Sequence, residues 1–381
     1  MSKTVALISD DVPAPITTVT FYSVEDAAAA AVAKDHLQSR LDTIVQLNPW
    51  LTGRIVTGAG SHLMLSFDPT ANAKIVIEDA SMPSLSAAAD YKTTMTSLAP
   101  LEVLKDKALI NNAAAPVFRA TWITIAESSS YALVVSLSHA IGDGFTYYRI
   151  YGMLSASTDA APLTILESAT TYAKIKDQAY GDTTAFLNSL AFKGHLVKNM
   201  GFGTKPTAVV RSFNPEWLAS AKKTPANGVP YLSTNDVVTS WFFAKMGAKI
   251  GLMDINFRGR VAGVDKSMAG NYEFFWAYQP EDFASPSLIR ESLAKGKRAR
   301  SGNFPWMSIG STAYISSWAS LYEPLVVPGL AMTEHLPCVH HYEGTPFTDF
   351  GVVFQRTPAD VGIVIFSRNP VAADAAFKAA P

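Results

Sequence analysis

Residues 131 to 154 leave this chain few options for local structure. Tyr131-Ala132-Leu133-Val134-Val135-Ser136-Leu137 is an apolar run that reads as a mostly buried strand. Phe145 to Leu154 then sets apolar residues at helical spacing. Between them stands Ser138-His139-Ala140-Ile141-Gly142-Asp143-Gly144. Gly142 and Gly144 are expected to permit the tight turn, and Asp143 to cap the helix. His139 is thereby presented on a loop held by a rigid scaffold, where functional groups concentrate. The same pattern also describes a turn with no chemistry, and at this point both readings stand.

At 381 residues the chain exceeds one ordinary core, so two domains are expected: 1–190, a crossover at 191–230, and 231–381. With 48% hydrophobic and 17% charged residues it is a folded protein rather than a disordered one. The net charge of −1 argues against nucleic-acid binding by bulk charge. Cys338 is the single cysteine, which fits a reducing compartment. The apolar run Val5-Ala6-Leu7-Ile8 is too short for a signal peptide and meets Asp10 and Asp11 at once. No apolar stretch reaches the length of a membrane span. A cytoplasmic monomer without a membrane partner is the expectation.

Strands are predicted at Thr17–Tyr22, His62–Phe67, Lys74–Ile77, Val117–Ile125, Leu252–Phe257, Glu273–Tyr278, Ala313–Trp318, Phe347–Phe354 and Val361–Phe366. Helices are predicted at Glu25–Gln46, with Ala33, Leu37, Leu41, Ile44 and Val45 on one face, and at Phe145–Ser155, Val237–Lys249 and Pro286–Arg300. Val117–Ile125 should form a hairpin with 131–138. Gly201-Phe202-Gly203 lacks the third glycine and the βαβ context of a phosphate cradle. His335, Cys338, His340 and His341 carry metal-ligating side chains, but Pro337 interrupts them and no second ligand group exists; a loop is expected there and no metal.

Taken in order, several segments resemble the coenzyme-A-dependent acyltransferase superfamily, nearest its BAHD branch, with chloramphenicol acetyltransferases and peptide-synthetase condensation domains as remoter members. The carrier is His139-x-x-x-Asp143-Gly144. Pro49-Trp50-Leu51-Thr52-Gly53-Arg54, Ser233-Thr234-Asn235-Asp236, Asn256-Phe257-Arg258-Gly259-Arg260 with Gly270-Asn271, Ser316-Ser317-Trp318 and Asp349-Phe350-Gly351 follow in the family's order. The Asp-Phe-Gly segment continues as Val352-Val353 instead of Trp-Gly, and the residue before His139 is Ser138. The resemblance implies mixed α/β architecture in two chloramphenicol-acetyltransferase-like domains with a channel between them. It implies acyl transfer from acyl-CoA, a co-substrate rather than a bound cofactor, to a hydroxyl or amine of a small molecule. Asp143 would be structural, paired with Arg258 first or Arg260 second, while Gly142, Gly144, Asp349 and Gly351 would support the framework.

The chemistry fits these residue types. The acceptor must lose a proton, and an imidazole titrates near neutrality, so His139 is the candidate base. No Gly-x-Ser-x-Gly elbow is present, which disfavours a serine hydrolase. Ser316 and Trp318 alternate along one strand and are candidate donors to the oxyanion. The Ser233-Thr234 helix start, with Lys222 and Lys223 before it, is the candidate contact for coenzyme A. A carrier-protein thioester as donor, or a non-catalytic binding protein, are the alternatives.

Overall fold

The computed structural model describes residues 2–7, 13–24, 27–58, 62–112, 114–125, 130–165, 182–226, 228–298, 300–306, 309–340 and 344–379. The chain divides into two compact units that interleave in sequence. Met1–Ala173, Arg258–Tyr272 and Leu321–His340 form the first; Lys174–Phe257, Glu273–Ser320 and His341–Pro381 form the second.

The first unit is built on a mixed five-stranded sheet. Its strands are β2 (Ile16–Val24), β5 (Glu78–Ser81), β6 (Phe118–Thr124), β7 (Ser130–Leu137) and β14 (Leu330–Pro337), in the order β14-β2-β7-β6-β5. The expected hairpin is β6 with β7, antiparallel, Phe118 opposite Leu137. A small antiparallel sheet joins β1 (Lys3–Ala6), β4 (Leu63–Phe67) and β3 (Arg54–Thr57), and the short strands β8 (Thr164–Ile165) and β11 (Met268–Ala269) pair in parallel. Helix α1 (Ala27–Leu47) buries Ala33, Leu37, Leu41, Ile44 and Val45, the face read from the sequence. Helices α2 (Tyr91–Leu98), α3 (Asp106–Ile110) and α4 (Gly144–Met153) follow.

Strand β2 is covered on both faces, so its threonines need internal partners. Thr17 Oγ1 meets Ser136 Oγ at 2.8 Å, Thr18 Oγ1 meets Tyr147 Oη at 2.6 Å, and Thr20 Oγ1 meets Tyr151 Oη at 2.7 Å. Tyr147 and Tyr151 lie one helical turn apart on α4, so two hydroxyl bonds fasten that helix to the sheet. The start of α4, where Asp143 sits, is thereby fixed.

Three expectations need correction here. Lys74–Ile77 is not a strand; the ladder begins at Glu78, where β5 runs parallel to β6 at the sheet edge. An edge strand tolerates charge, and Glu78 and Asp79 use it to pair with Arg119 and Lys34, both at 2.6 Å. The histidine-rich segment is not simply a loop, because His335 lies on β14 against β2. Neither Gly142 nor Gly144 has a positive φ. Gly142 is needed for room: a Cβ there would come within 2.7 Å of Thr146 Cγ2.

In the second unit six strands run β12-β10-β13-β15-β16-β9, where β9 is Thr207–Ser212, β10 Ile250–Asn256, β12 Glu273–Tyr278, β13 Thr312–Ser317, β15 Asp349–Thr357 and β16 Asp360–Ser367. Strands β10, β13 and β15 are parallel and the others antiparallel. β9 falls in the stretch read as a crossover and adds an edge strand beside β16. The helix Thr234–Lys245 is buried along Val237, Val238, Phe242 and Phe243. The helix begun at Pro286 stops at Lys295 rather than Arg300, because Gly296 takes the left-handed conformation (φ 65°) that closes helices.

Candidate active site

Strand β7 ends at Leu137, and two residues later His139 stands half-buried at the head of the turn into α4. Asp143 caps that helix. Its Oδ1 accepts from the Thr146 backbone N–H at 2.9 Å and from Thr146 Oγ1 at 3.0 Å. Its Oδ2 accepts from Arg258 Nη1 at 2.6 Å and from the Tyr272 N–H at 2.9 Å. Both carboxylate oxygens are therefore engaged by groups other than the imidazole.

Arg258 completes the arrangement. Nε donates to the Met268 carbonyl at 2.9 Å, and Nη2 donates to the Gly270 carbonyl at 2.9 Å and to Thr146 Oγ1 at 3.1 Å. Its guanidinium lies 4.4 Å from the Phe145 ring centroid and 4.7 Å from that of Tyr272. The two charged side chains are 0% and 1% exposed. A buried ion pair is tolerable only when its remaining donors and acceptors are met, as they are here. Arg258 rather than the exposed Arg260 is the partner of Asp143. The pair ties the turn to Arg258–Tyr272, more than a hundred residues away, with a further bond from the Asp143 N–H to the Gly270 carbonyl at 3.2 Å.

This brings Asn271 to His139. The Asn271 amide donates to the His139 carbonyl at 2.7 Å, and Asn271 Oδ1 lies 3.1 Å from His139 Nδ1. The first bond fixes which end of the amide is oxygen. Oδ1 can only accept, so Nδ1 must be the protonated nitrogen. In the neutral ring of that tautomer Nε2 carries the lone pair, the form a general base requires. Asn271 stands in the sequence only as the residue after Gly270; no spacing in the chain marks it as the partner of a histidine 132 positions earlier.

Other candidates lie in the second unit. Trp318 follows β13, and its Nε1–H donates to Ser316 Oγ at 3.1 Å, so the two share one side as the alternation required. Ser233 caps the helix Thr234–Lys245 in a reciprocal capping box with Asp236. Its Oγ also accepts from Arg290 Nη2 at 2.8 Å, and Arg290 pairs with the buried Asp236 at 2.6 Å. Lys222 Nζ donates to Thr234 Oγ1 at 2.6 Å, which joins two of the expected coenzyme A contacts; Lys223 is exposed. Asp349 accepts from Ser367 Oγ at 2.5 Å. Burial pushes its carboxyl up to about 6, against the opposing pull of Ser367 and Arg368. Gly351 leaves room for Phe242, whose ring would lie 3.0 Å from a Cβ at that position.

The histidine and cysteine cluster does not converge. His335 is fully buried, with Nδ1 2.9 Å from Thr20 Oγ1 and Nε2 3.1 Å from Tyr148 Oη, and burial lowers its pKa to about 3. Cys338 is buried, and His340 Nε2 lies 2.7 Å from Glu102 Oε1. His341 lies outside the described residues. Among the described residues no group of three or more His, Cys, Asp or Glu could hold a metal ion. No helix of the described residues is long and apolar enough to cross a membrane.

No protein-family profile matches the chain, and no curated protein sequence matches it. Solved structures do. TRI101 of F. sporotrichioides, solved with coenzyme A and T-2, superposes with a TM-score of 0.61 at 15% identity, covering 96% of this chain and 94% of that one. TRI101 of F. graminearum, solved with coenzyme A and T-2 mycotoxin, gives 0.62 at 12% identity, with 96% and 95% covered. Polyketide synthase associated protein 5 from Mycobacterium tuberculosis gives 0.57 at 12%, with 95% and 93% covered. The chain has the two-domain fold of the chloramphenicol-acetyltransferase-like acyltransferases. The match spans nearly the whole chain, so both units belong to that fold, as the ordered segments had implied.

Proposed function

We propose that the chain is an acyltransferase that moves an acyl group from acyl-CoA to a hydroxyl or amine of a small molecule. The observation that carries this reading is the setting of His139: Nδ1–H is held by Asn271, and the carboxylate of Asp143 is committed to Arg258. That leaves His139 Nε2 as the base. The acceptor's proton passes to Nε2 as its oxygen or nitrogen bonds to the thioester carbon. The C–S bond then breaks, and the imidazolium returns the proton to the departing thiolate. No protein nucleophile is required, so both substrates are bound together. Structural neighbours solved with coenzyme A, and in several cases with T-2 or deoxynivalenol, support a thioester donor and a small-molecule acceptor.

Within the same proposal Ser316 donates to the developing oxyanion, its hydroxyl polarised by the Trp318 indole. Lys222 and Lys223, beside Thr234, contact a phosphate of coenzyme A. Transfer to hydroxyl or amine, a monomeric state and a cytosolic setting belong to this proposal as well.

The test is incubation of the purified chain with acetyl-CoA and longer acyl-CoAs, with pooled small alcohols and amines, while free thiol is measured. Acceptor-dependent thiol release is expected, absent in His139→Ala. Coenzyme A at about 100 times its Kd should stabilise the fold by roughly 2.7 kcal/mol, a visible thermal shift. No release above His139→Ala together with no shift overturns the proposal. Activity with an acylated carrier protein alone would transfer it to the condensation type. Lys222→Ala with Lys223→Ala should raise KM for acyl-CoA with kcat preserved; an unchanged KM removes that contact.

A further inference from the structure

In the second unit, the helix Leu190–Phe202 packs one side on the core through Phe192, with Ala191 and Leu196 partly buried. Its other side carries large apolar groups in solvent. Leu190 and Phe202 are each 89% exposed, Val197 is 67% and Met200 is 64%. Isolated exposed apolar residues are ordinary, but Leu190, Val197 and Met200 recur at helical spacing on one face, with Phe202 at the end of the helix. Gly194 and Gly201, with nothing within 4 Å of a would-be Cβ, keep that face open. Lys193 and Lys198 are exposed on the same helix. Between Asp182 and Glu216 the chain holds Lys193, Lys198, Lys205 and Arg211 and no acidic residue.

We propose that this helix docks the protein on an anionic lipid surface. Exposed apolar side chains flanked by Lys193 and Lys198, with no acid on the helix, suit a helix edge that lies against the headgroup region. The charge selects the occupant. A second copy of the chain placed face to face would set lysines against lysines with no acid on the helix to meet them. Anionic headgroups supply the complement, worth about 1 kcal/mol per lysine near the surface. The proposed contact is peripheral. It stands independently of the acyltransfer reading.

The experiment is vesicle flotation of the full chain. With phosphatidylcholine vesicles containing phosphatidylserine, the protein should float at low salt and be released at high salt, as screening shortens the reach of the charges. With phosphatidylcholine alone it should not float. Lys193→Glu with Lys198→Glu, and separately Leu190→Ser with Phe202→Ser, should each weaken binding at least about tenfold. Thermal midpoints should be unchanged in both, because these side chains are exposed. Equal flotation with both vesicle types, no flotation with either, or variants that bind as the parent does, would each overturn the proposal. A concentration-dependent dimer abolished by Leu190→Ser with Phe202→Ser, without vesicle binding, would assign the face to a second copy instead.

Discussion

Asn271 grips His139 at two points, donating to its backbone carbonyl at 2.7 Å and accepting from its Nδ1 at 3.1 Å. One amide thus sets both the orientation of the ring and the nitrogen that carries the proton. A neutral amide also differs from the carboxylate found beside many catalytic histidines. It fixes the tautomer without placing a negative charge beside the imidazolium, so the ring remains able to give its proton back.

Asn271→Ala should therefore lower kcat about 10- to 100-fold, the usual effect of removing a group that orients a reacting one. Loss of two part-buried hydrogen bonds, each worth about 1 kcal/mol, should lower the thermal midpoint by only a few degrees. Asn271→Asp retains an acceptor for Nδ1–H and should keep more activity. Its charge should favour the imidazolium, moving the acid limb of the kcat/KM profile to higher pH. A structural role alone would lower the midpoint and leave the profile in place.

The Asp143–Arg258 pair makes a different prediction. Removing one partner strands a buried charge, at about 3–5 kcal/mol, so Asp143→Ala should lose stability along with activity. Urea unfolding is the measurement. Asp143→Ala that keeps its midpoint while losing turnover would mean that the carboxylate acts in the chemistry and not in the fold.

These two relationships show what the sequence could and could not reveal. The strand, turn and helix around His139 are local, written in an apolar run and a capping aspartate, and these appear as read. The arginine for Asp143 came from the order of family-like segments, which narrowed the choice to Arg258 or Arg260. Asn271 stood in one of those segments, after Gly270, but nothing there gave it a role, because that role exists only once β11 and the following turn are brought to α4. Strand β14 was hidden for the same reason. Its polar residues, Thr333 and Glu334, obscured the alternation, and its pairing with β2 spans some three hundred residues. β5 was misplaced because an edge strand owes its residues no apolar face.

His335 should make the fold acid-sensitive. Its pKa is lowered from 6.5 to about 3 by burial, so the folded state holds it neutral between Thr20 and Tyr148. Below 6.5 the unfolded chain binds a proton that the folded chain refuses. The stabilising contribution is complete above pH 6.5 and is lost as pH falls toward 3, at full extent on the order of 5 kcal/mol. His335→Gln should be less stable than the parent at pH 7.5, having exchanged the ring for a worse fit. It should show a shallower loss between pH 6 and pH 4, because the amide does not titrate. Parallel stability curves for the two proteins across that range would exclude His335 as the source.

Asp349 should act with the opposite sign. Burial raises its carboxyl from 3.8 to about 6 despite the Ser367 hydroxyl and Arg368. A raised folded value means that the folded state favours the protonated acid. The resulting stability is present below pH 3.8 and is lost as pH rises through about 6, so at pH 7.5 the chain carries an ionised carboxylate that its surroundings oppose. Asp349→Asn keeps an oxygen to accept from Ser367 and has no charge to bury. The variant should match the parent near pH 4 and exceed its thermal midpoint at pH 7.5, with the gap opening between pH 4 and pH 6.5. A variant less stable than the parent at pH 7.5 would show that Arg368 compensates the charge in full, and that the ionised form of Asp349 is the one the second unit is built to hold.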